Sequence, residues 1–502
     1  MKKKILWPIG ILVFTLFLGC DKNDDTPIDE IIVEDPASVD DFPVQDFMWL
    51  AMNAYYFWQS DVLDLADDRF ATQQDYADFL AAEPDPETFF YEICNNHEQI
   101  VGENAAVDRF SFLSENYKDL VEGFSGISKS NGVEFGLSLY GTGEDVFGFV
   151  RYIVPESDAD GKDISRGDVF IGVNGTDLNL DNYIELLFGD NDTYTLNFAT
   201  IVDNTITPND RELSLTKEEG LVENPILINK VIEQGGIKIG YLLYNSFVAD
   251  FDEELNEALG AFKAEGINEL ILDFRYNGGG RVSSAVQIAS SIYGTKTDEL
   301  FLKARYNEKI QATFGPGDGE TNFFNETISG TPINDLNLQR VYVITSSSTA
   351  SASELVINGL EPYVDVQQIG TTTVGKNEFS ITFVDDPENG FFYDEDREAN
   401  INPDNQWAIQ PLLGRNENAD GFSDYTAGLI PDIELQEDIT NMGVLGNESE
   451  PLLALTLNTI NGTITKVNFT PLYPVDLISS SLQFKTQNNR MLMDGMPLFK
   501  SK

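Results

Sequence analysis

One stretch limits the fold more than any other: a strand that must be buried and cannot continue. Glu269-Leu270-Ile271-Leu272-Asp273-Phe274 is a near-continuous apolar run, and Arg275-Tyr276-Asn277 carry it into Gly278-Gly279-Gly280. Such a run suits the interior of a sheet covered on both faces. The glycines allow a tight turn whose N–H groups can face an anion. Around it, residues 237–243 read as a strand, 250–263 as a helix, 282–292 as a helix and 341–345 as a strand, with a helix from about Ala352. That alternation is α/β. A phosphate loop is the rival for the glycines, but neither its Gly-Lys-Ser/Thr ending nor a spaced Gly-x-Gly-x-x-Gly is present.

Composition narrows the chemistry. The chain has 31 basic and 84 acidic residues, a net charge of −53. So negative a surface argues against nucleic acid and against broad contact with anionic lipid. There is one histidine, His97, so a multi-histidine metal site is excluded and a Ser-His-Asp triad would have to run through it. Two cysteines, Cys20 and Cys94, exclude a disulfide framework and a Cys-rich metal site. Cys94 reads as a small buried hydrophobe, and no metal or organic cofactor is expected.

The first residues read as an address label. Lys2-Lys3-Lys4 precede a mainly apolar run over residues 5–19, short for a membrane span, that ends Leu16-Phe17-Leu18-Gly19-Cys20. This resembles a bacterial lipobox, which implies cleavage before Cys20 and its lipidation. Residues 20–42 are acidic with Pro27 and Pro36, as expected of a flexible tether. The expected location is the cell envelope of a Gram-negative bacterium, anchored by lipid to the outer membrane.

Residues 43–125 are expected to be helical: Phe47, Leu50, Ala51, Ala54, Tyr55 and Trp58 recur at helical steps, and 75–80 and 110–120 look like further helices. Residues 130–202 switch to alternation, with an Asn174-Gly175 turn. Phe135-Gly136-Leu137-Ser138 and Gly167-Asp168…Asn174-Gly175 resemble the carboxylate-binding loop and the signature of a PDZ domain. That likeness implies capture of an extended peptide, with Phe135, Gly136, Leu137 and Ser138 as the binding residues. Residues 203–440 form the α/β part, with a loop insertion over 385–405, and 441–502 a C-terminal segment.

Two more stretches stand out. Ser351-Ala352-Ser353-Glu354 lies between a strand and a helix, where a serine is either a plain helix cap or an exposed hydroxyl backed by forward-pointing N–H groups. Thr373-Val374-Gly375-Lys376 follows the next strand, placing Lys376 25 residues beyond Ser351. The order of PDZ-like unit, Asp273-Phe274-Arg275-Tyr276-Asn277-Gly278-Gly279-Gly280, Ser351-Ala352-Ser353-Glu354, Gly375-Lys376 and Gly428-Leu429-Ile430-Pro431-Asp432 resembles a carboxyl-terminal processing (tail-specific) serine protease.

The resemblance implies an α/β protease core, a β-rich PDZ-like domain and an N-terminal helical domain. It makes Ser351 the nucleophile and Lys376 its base, in a Ser–Lys dyad. Ala352 with Gly278 or Gly279 would supply oxyanion donors, Thr373 would orient the amine, and Glu354 and Arg275 would brace the site. Substrates would be protein tails or unfolded chains. One departure is Ser380, where the family commonly has a glutamine four residues after the lysine. It supports an alternative, a non-catalytic PDZ-type peptide-binding lipoprotein on the same fold. A polysaccharide-binding lipoprotein rests only on the export label and scattered aromatics.

Overall fold

The computed structural model describes residues 36–141, 143–314, 320–463, 473, 476–486 and 488–493. The expected export signal, Cys20 and the tether as far as residue 35 lie outside them. Among the described residues no helix is long and apolar enough to cross a membrane.

Helix α1 (Pro43–Tyr55) starts with proline at its first turn, where a missing N–H costs nothing. Its buried face, Phe47, Met48, Ala51, Met52 and Tyr55, shares one hydrophobic core with Leu255, Leu259, Leu270 and Leu272 of the α/β part. The helical section is therefore built onto the α/β layers rather than closed on a core of its own.

The helix expected over residues 110–120 begins only at Tyr117, and its expected first half is not helical. Asp108 Oδ1 accepts the N–H groups of Phe110 and Ser111, at 3.0 and 2.9 Å, and turns the chain. Strand β1 (Phe112–Ser114) then pairs antiparallel with residues 408–410, and the helix α2 (Tyr117–Phe124) begins only after Asn116 caps it. Long-range pairing overrides local helical spacing here.

A β-rich unit follows. Strands β2 (Val133–Tyr140), β3 (Asp145–Ile153), β4 (Val169–Val173), β5 (Thr193–Val202) and β6 (Thr205–Thr216) form consecutive neighbours of one sheet, with helix α3 (Tyr183–Phe188) against its core. The expected boundary at 202/203 falls inside the β5–β6 hairpin, whose turn residues Asp203 and Asn204 both have positive φ. β6 escaped notice because it is polar and mostly exposed, so no apolar alternation marks it.

The α/β part has a second sheet. β7 (Ile226–Gln234) runs antiparallel to β8 (Ile237–Tyr244). β8, β9 (Glu269–Asp273), β12 (Arg340–Thr345) and β13 (Asp365–Gly370) are mutually parallel. Between these strands come α4 (Asp252–Glu265), β10 (Gly279–Arg281), α5 (Val282–Tyr293), β11 (Leu300–Tyr306) and α6 (Ala352–Leu360). Asp273 pairs with Ile344, and Thr345 with Gly370, so three strands end side by side. The loops leaving them carry the glycine triplet, Ser351 and Lys376. Ligand sites form at the carboxyl ends of parallel strands for this reason.

A third sheet packs alongside. It orders β10, the C-terminal strand β17 (Arg490–Leu492), β14 (Glu378–Ser380), β15 (Leu412–Glu417) and β11. Its neighbour β16 (Ser479–Ser480) instead joins the edge of β2.

Candidate active site

Ser351 is the residue before α6 and adopts φ +63° and ψ −115°, a conformation that costs a non-glycine residue about 1–3 kcal/mol. The loop around it is sewn to the glycine turn. Thr349 Oγ1 donates to the Phe274 carbonyl at 2.8 Å, Ala350 N to the Asn277 carbonyl at 3.1 Å, and Ser353 Oγ to that same carbonyl at 3.1 Å. Ser351 is fully buried and its hydroxyl has no hydrogen-bond partner.

One backbone donor, the Ala352 N–H, directly follows that serine in the chain. Ala352 is the first residue of α6, and first-turn N–H groups have no partner within a helix. Of the two glycines expected to serve there, Gly279 already gives its N–H to Asn277 Oδ1 at 2.9 Å. Gly279 has φ +108°, and a Cβ there would lie 2.7 Å from Ser351 Cβ and collide with the Arg490 carbonyl. We expect Gly279→Ala to destabilise the fold by about 1–3 kcal/mol and to displace the serine loop, which denaturant titration with a peptide-hydrolysis assay checks.

Glu354 organises the centre. Its buried carboxylate accepts from Ser351 N at 2.7 Å, Thr373 Oγ1 at 2.5 Å, Gly375 N at 2.7 Å and Lys376 N at 2.9 Å. One oxygen, Oε2, thus holds the backbones of both Ser351 and Lys376. Burial pushes its pKa up to about 7 despite those four donors. Arg109 pins the same lysine loop by donating to the Gly375 carbonyl at 2.8 Å.

Lys376 is fully buried. Loss of hydration pulls its pKa well below the ordinary lysine value, and the Arg490 guanidinium nearby adds to the effect. Glu378, Asp108 and Glu354 oppose it through their negative charge. The Lys376 Nζ lies 5.2 Å from the Phe110 ring centroid and donates to the Asn489 carbonyl at 2.5 Å.

Several expected roles change. Ser351 and Lys376 are brought to one carboxylate, yet in this structure they do not bond each other. Thr373 does not orient the amine: its hydroxyl donates to Glu354 and accepts from Leu429 N at 2.8 Å. Arg275 braces from below, in a buried network with Asp273, Glu437 and Glu450. Phe135, Gly136, Leu137 and Ser138 lie within strand β2 rather than in a loop, with Phe135 and Leu137 turned into the core. Ser380 is buried with an unpartnered hydroxyl.

His97 stands apart, its Nε2 donating to the Ser111 carbonyl at 2.9 Å and its Nδ1 accepting from Gln99 N at 3.1 Å. With both nitrogens engaged, it braces its own loop. Among the described residues, no group of three or more His, Cys, Asp or Glu side chains could hold a metal ion. Sequence reasoning missed Asn277, whose side chain holds Gly279 and donates to the Tyr244 carbonyl at 2.8 Å. An asparagine inside a strand-to-glycine turn was the available signal.

A serine at a strained strand-to-helix turn and a fully buried lysine, their backbones held by one carboxylate oxygen, form a single centre around Glu354. Comparison with known proteins specifies it further. The family described as "Peptidase family S41" matches residues 238–415, and "Peptidase S41 N-terminal domain" matches residues 43–112. These two stretches thus resemble the peptidases of family S41.

A carboxyl-terminal-processing protease from Picosynechococcus sp. is 28% identical over 166 residues, which is 33% of this chain and 35% of that protein. A protein classed as a CtpA-like serine protease, from Staphylococcus aureus strain N315, is 25% identical over 173 residues, 33% of this chain and 32% of its own length. The chain thus spans about a third of the curated relatives it matches. A crystal structure from Bacteroides fragilis NCTC 9343, classed with the S41 proteases, superposes with a TM-score of 0.62 at 25% identity. That match covers 83% of this chain and 97% of the other.

Proposed function

We propose that the protein is a lipid-anchored serine endopeptidase of the cell envelope that cuts polypeptides near their C-terminal tails or in unfolded regions. The observation that carries this reading is the fully buried Lys376, its pKa well depressed, tied to Ser351 through one carboxylate oxygen of Glu354. A neutral amine can accept a proton, which a solvated lysine at neutral pH cannot.

In the proposed reaction the Lys376 amine leaves the Asn489 carbonyl and takes the Ser351 proton as Oγ attacks a peptide carbonyl carbon. The Ala352 and Gly278 N–H groups receive the developing oxyanion, each worth about 3 kcal/mol. The resulting ammonium protonates the leaving amine, and water then releases the acyl group with Lys376 again as base. The β2 edge of the PDZ-like unit would align the substrate as an added strand. The lipobox-like Leu16-Phe17-Leu18-Gly19-Cys20 supports the anchor and the envelope location.

The unbonded Ser351 hydroxyl favours a second reading, a peptide-binding lipoprotein without activity. Hydrolysis of fluorescein-labelled casein by the purified chain separates them. We expect turnover that Ser351→Ala lowers by at least about 10⁴-fold. Turnover equal in the two proteins removes Ser351 as nucleophile, and none in either supports the binder.

A further inference from the structure

The chain's own C-terminal segment lies along the whole path assigned above to a peptide. At the β2 edge, β16 pairs antiparallel, Ser479 opposite Leu137 and Ser480 opposite Gly136. Ile478 N donates to the Leu137 carbonyl at 3.0 Å, Phe135 N to Ser481 Oγ at 2.9 Å, and Ser138 Oγ to the Asp476 carbonyl. This is strand addition, the way such sheet edges take foreign peptides. Phe484 then stacks on Phe188 of α3, ring centroids 3.6 Å apart.

The segment continues to the loops that carry Gly279 and Lys376. Lys485 bridges Glu134 at 2.7 Å and Glu223. Beyond it, β17 inserts between the two strands that flank the reacting groups: Arg490 opposite Gly279 on β10, Leu492 opposite Ser380 on β14. A Cβ at Gly278 would meet Asn488 Oδ1, and the Asn489 carbonyl holds the Lys376 amine. Residues 476–493 carry one acid against two bases in a chain of net charge −53, so the segment is charge-matched to its surroundings.

A working serine and its base cannot both stay fully buried, because a substrate carbonyl must reach them. We propose that residues 476–486 and 488–493 are the resident occupant of the peptide path and hold the peptidase closed until a substrate tail displaces them. This rests on the peptidase reading. The segment resembles a substrate in its strand pairing, and its exit would free the Lys376 amine from Asn489, the Gly278 region from Asn488, and the β2 edge for another chain.

The test uses the full chain. Lys485→Glu sets a negative charge against Glu134 and Glu223, and Ile478→Pro deletes the donor to Leu137; neither touches the reacting groups. Three readouts apply: trypsin cleavage after Arg490, casein hydrolysis, and binding of a fluorescein-labelled synthetic peptide of residues 476–493 in the Ser351→Ala background. We expect each variant to speed cleavage at Arg490, raise casein turnover at least tenfold, and tighten peptide binding at least tenfold. Unlabelled peptide should suppress the gained turnover.

Exposure of Arg490 with turnover and peptide binding unchanged overturns the proposal. So does failure of both variants to expose Arg490, since the segment would then be a fixed strand. Tightened peptide binding with no turnover in any protein upholds the occupant and instead rejects the peptidase reading.

Discussion

A Lys376→Met chain should lose at least about 10³-fold in peptide turnover and yet unfold at a higher temperature than its parent. Both effects come from one burial. In the folded protein the amine is fully buried, so its pKa is held well below the ordinary lysine value. In the unfolded chain it returns to about 10.4. The unfolded state therefore binds the proton more tightly, and folding stability falls as the pH drops below about 10.4. The penalty levels off once the pH is under the depressed folded value.

Methionine fills similar space without a charge, so it removes the penalty at pH 7 and removes nothing above about pH 11. Calorimetry at the two pH values checks this. We expect a gain of at least about 2 °C at pH 7 and none at the alkaline end. In the parent, kcat/KM should rise with pH as the amine loses its proton, reaching a plateau. Glu354 also titrates on this limb, at about 7, because its carboxylate form receives the four donors that position the loop. A Met variant that is inactive but no more stable at pH 7 would mean that the amine is hydrated, and the proposed base would be lost.

Arg275→Met should be the most damaging substitution to the fold, by about 3–5 kcal/mol. The guanidinium is fully buried and donates to both oxygens of Asp273, to Glu450 at 2.7 and 3.0 Å, and to Glu437 at 3.2 Å. Its removal leaves buried carboxylates facing one another, with Arg166 still holding Glu437 at 2.5 Å. Burial alone would raise the Glu437 pKa, but Arg166 and Arg275 together hold it down to about 2. Against an ordinary value of 4.5, that contributes about 3 kcal/mol above pH 4.5, lost as the pH falls toward 2. Urea titrations at pH 7, 4 and 3 should show the parent weakening in acid and the variant already weak at neutral pH. A loss below about 1 kcal/mol at pH 7 would contradict this account.

The damage would reach the reaction centre through the backbone, because Ser346 Oγ donates to the Arg275 carbonyl at the start of the serine loop.

How much of this was legible depended on how local each signal is. The α/β core could be read because its buried strands are continuous apolar runs and its helices keep helical spacing. Ser351 and Lys376 could be paired because they flank a single strand, so the chain between them has one short way back. The Thr373 role was misjudged because spacing along a loop does not say which way a hydroxyl points, and here a carboxylate from α6 claims it. β6 and β1 stayed hidden because one is polar and the other is fixed by a partner about 300 residues away. The occupant strand β17 is hardest of all: three residues whose identity as a strand exists only between β10 and β14.

The common core of α1 with the α/β layers has a practical corollary. Residues 238–415, the stretch recognisable by descent, borrow side chains from Phe47–Tyr55 to cover their helices and a strand at 490–492 to complete their sheet. Cut out at those limits, the piece would present a raw apolar wall to water and clump. The smallest independently stable body is wider than the recognisable homologous one.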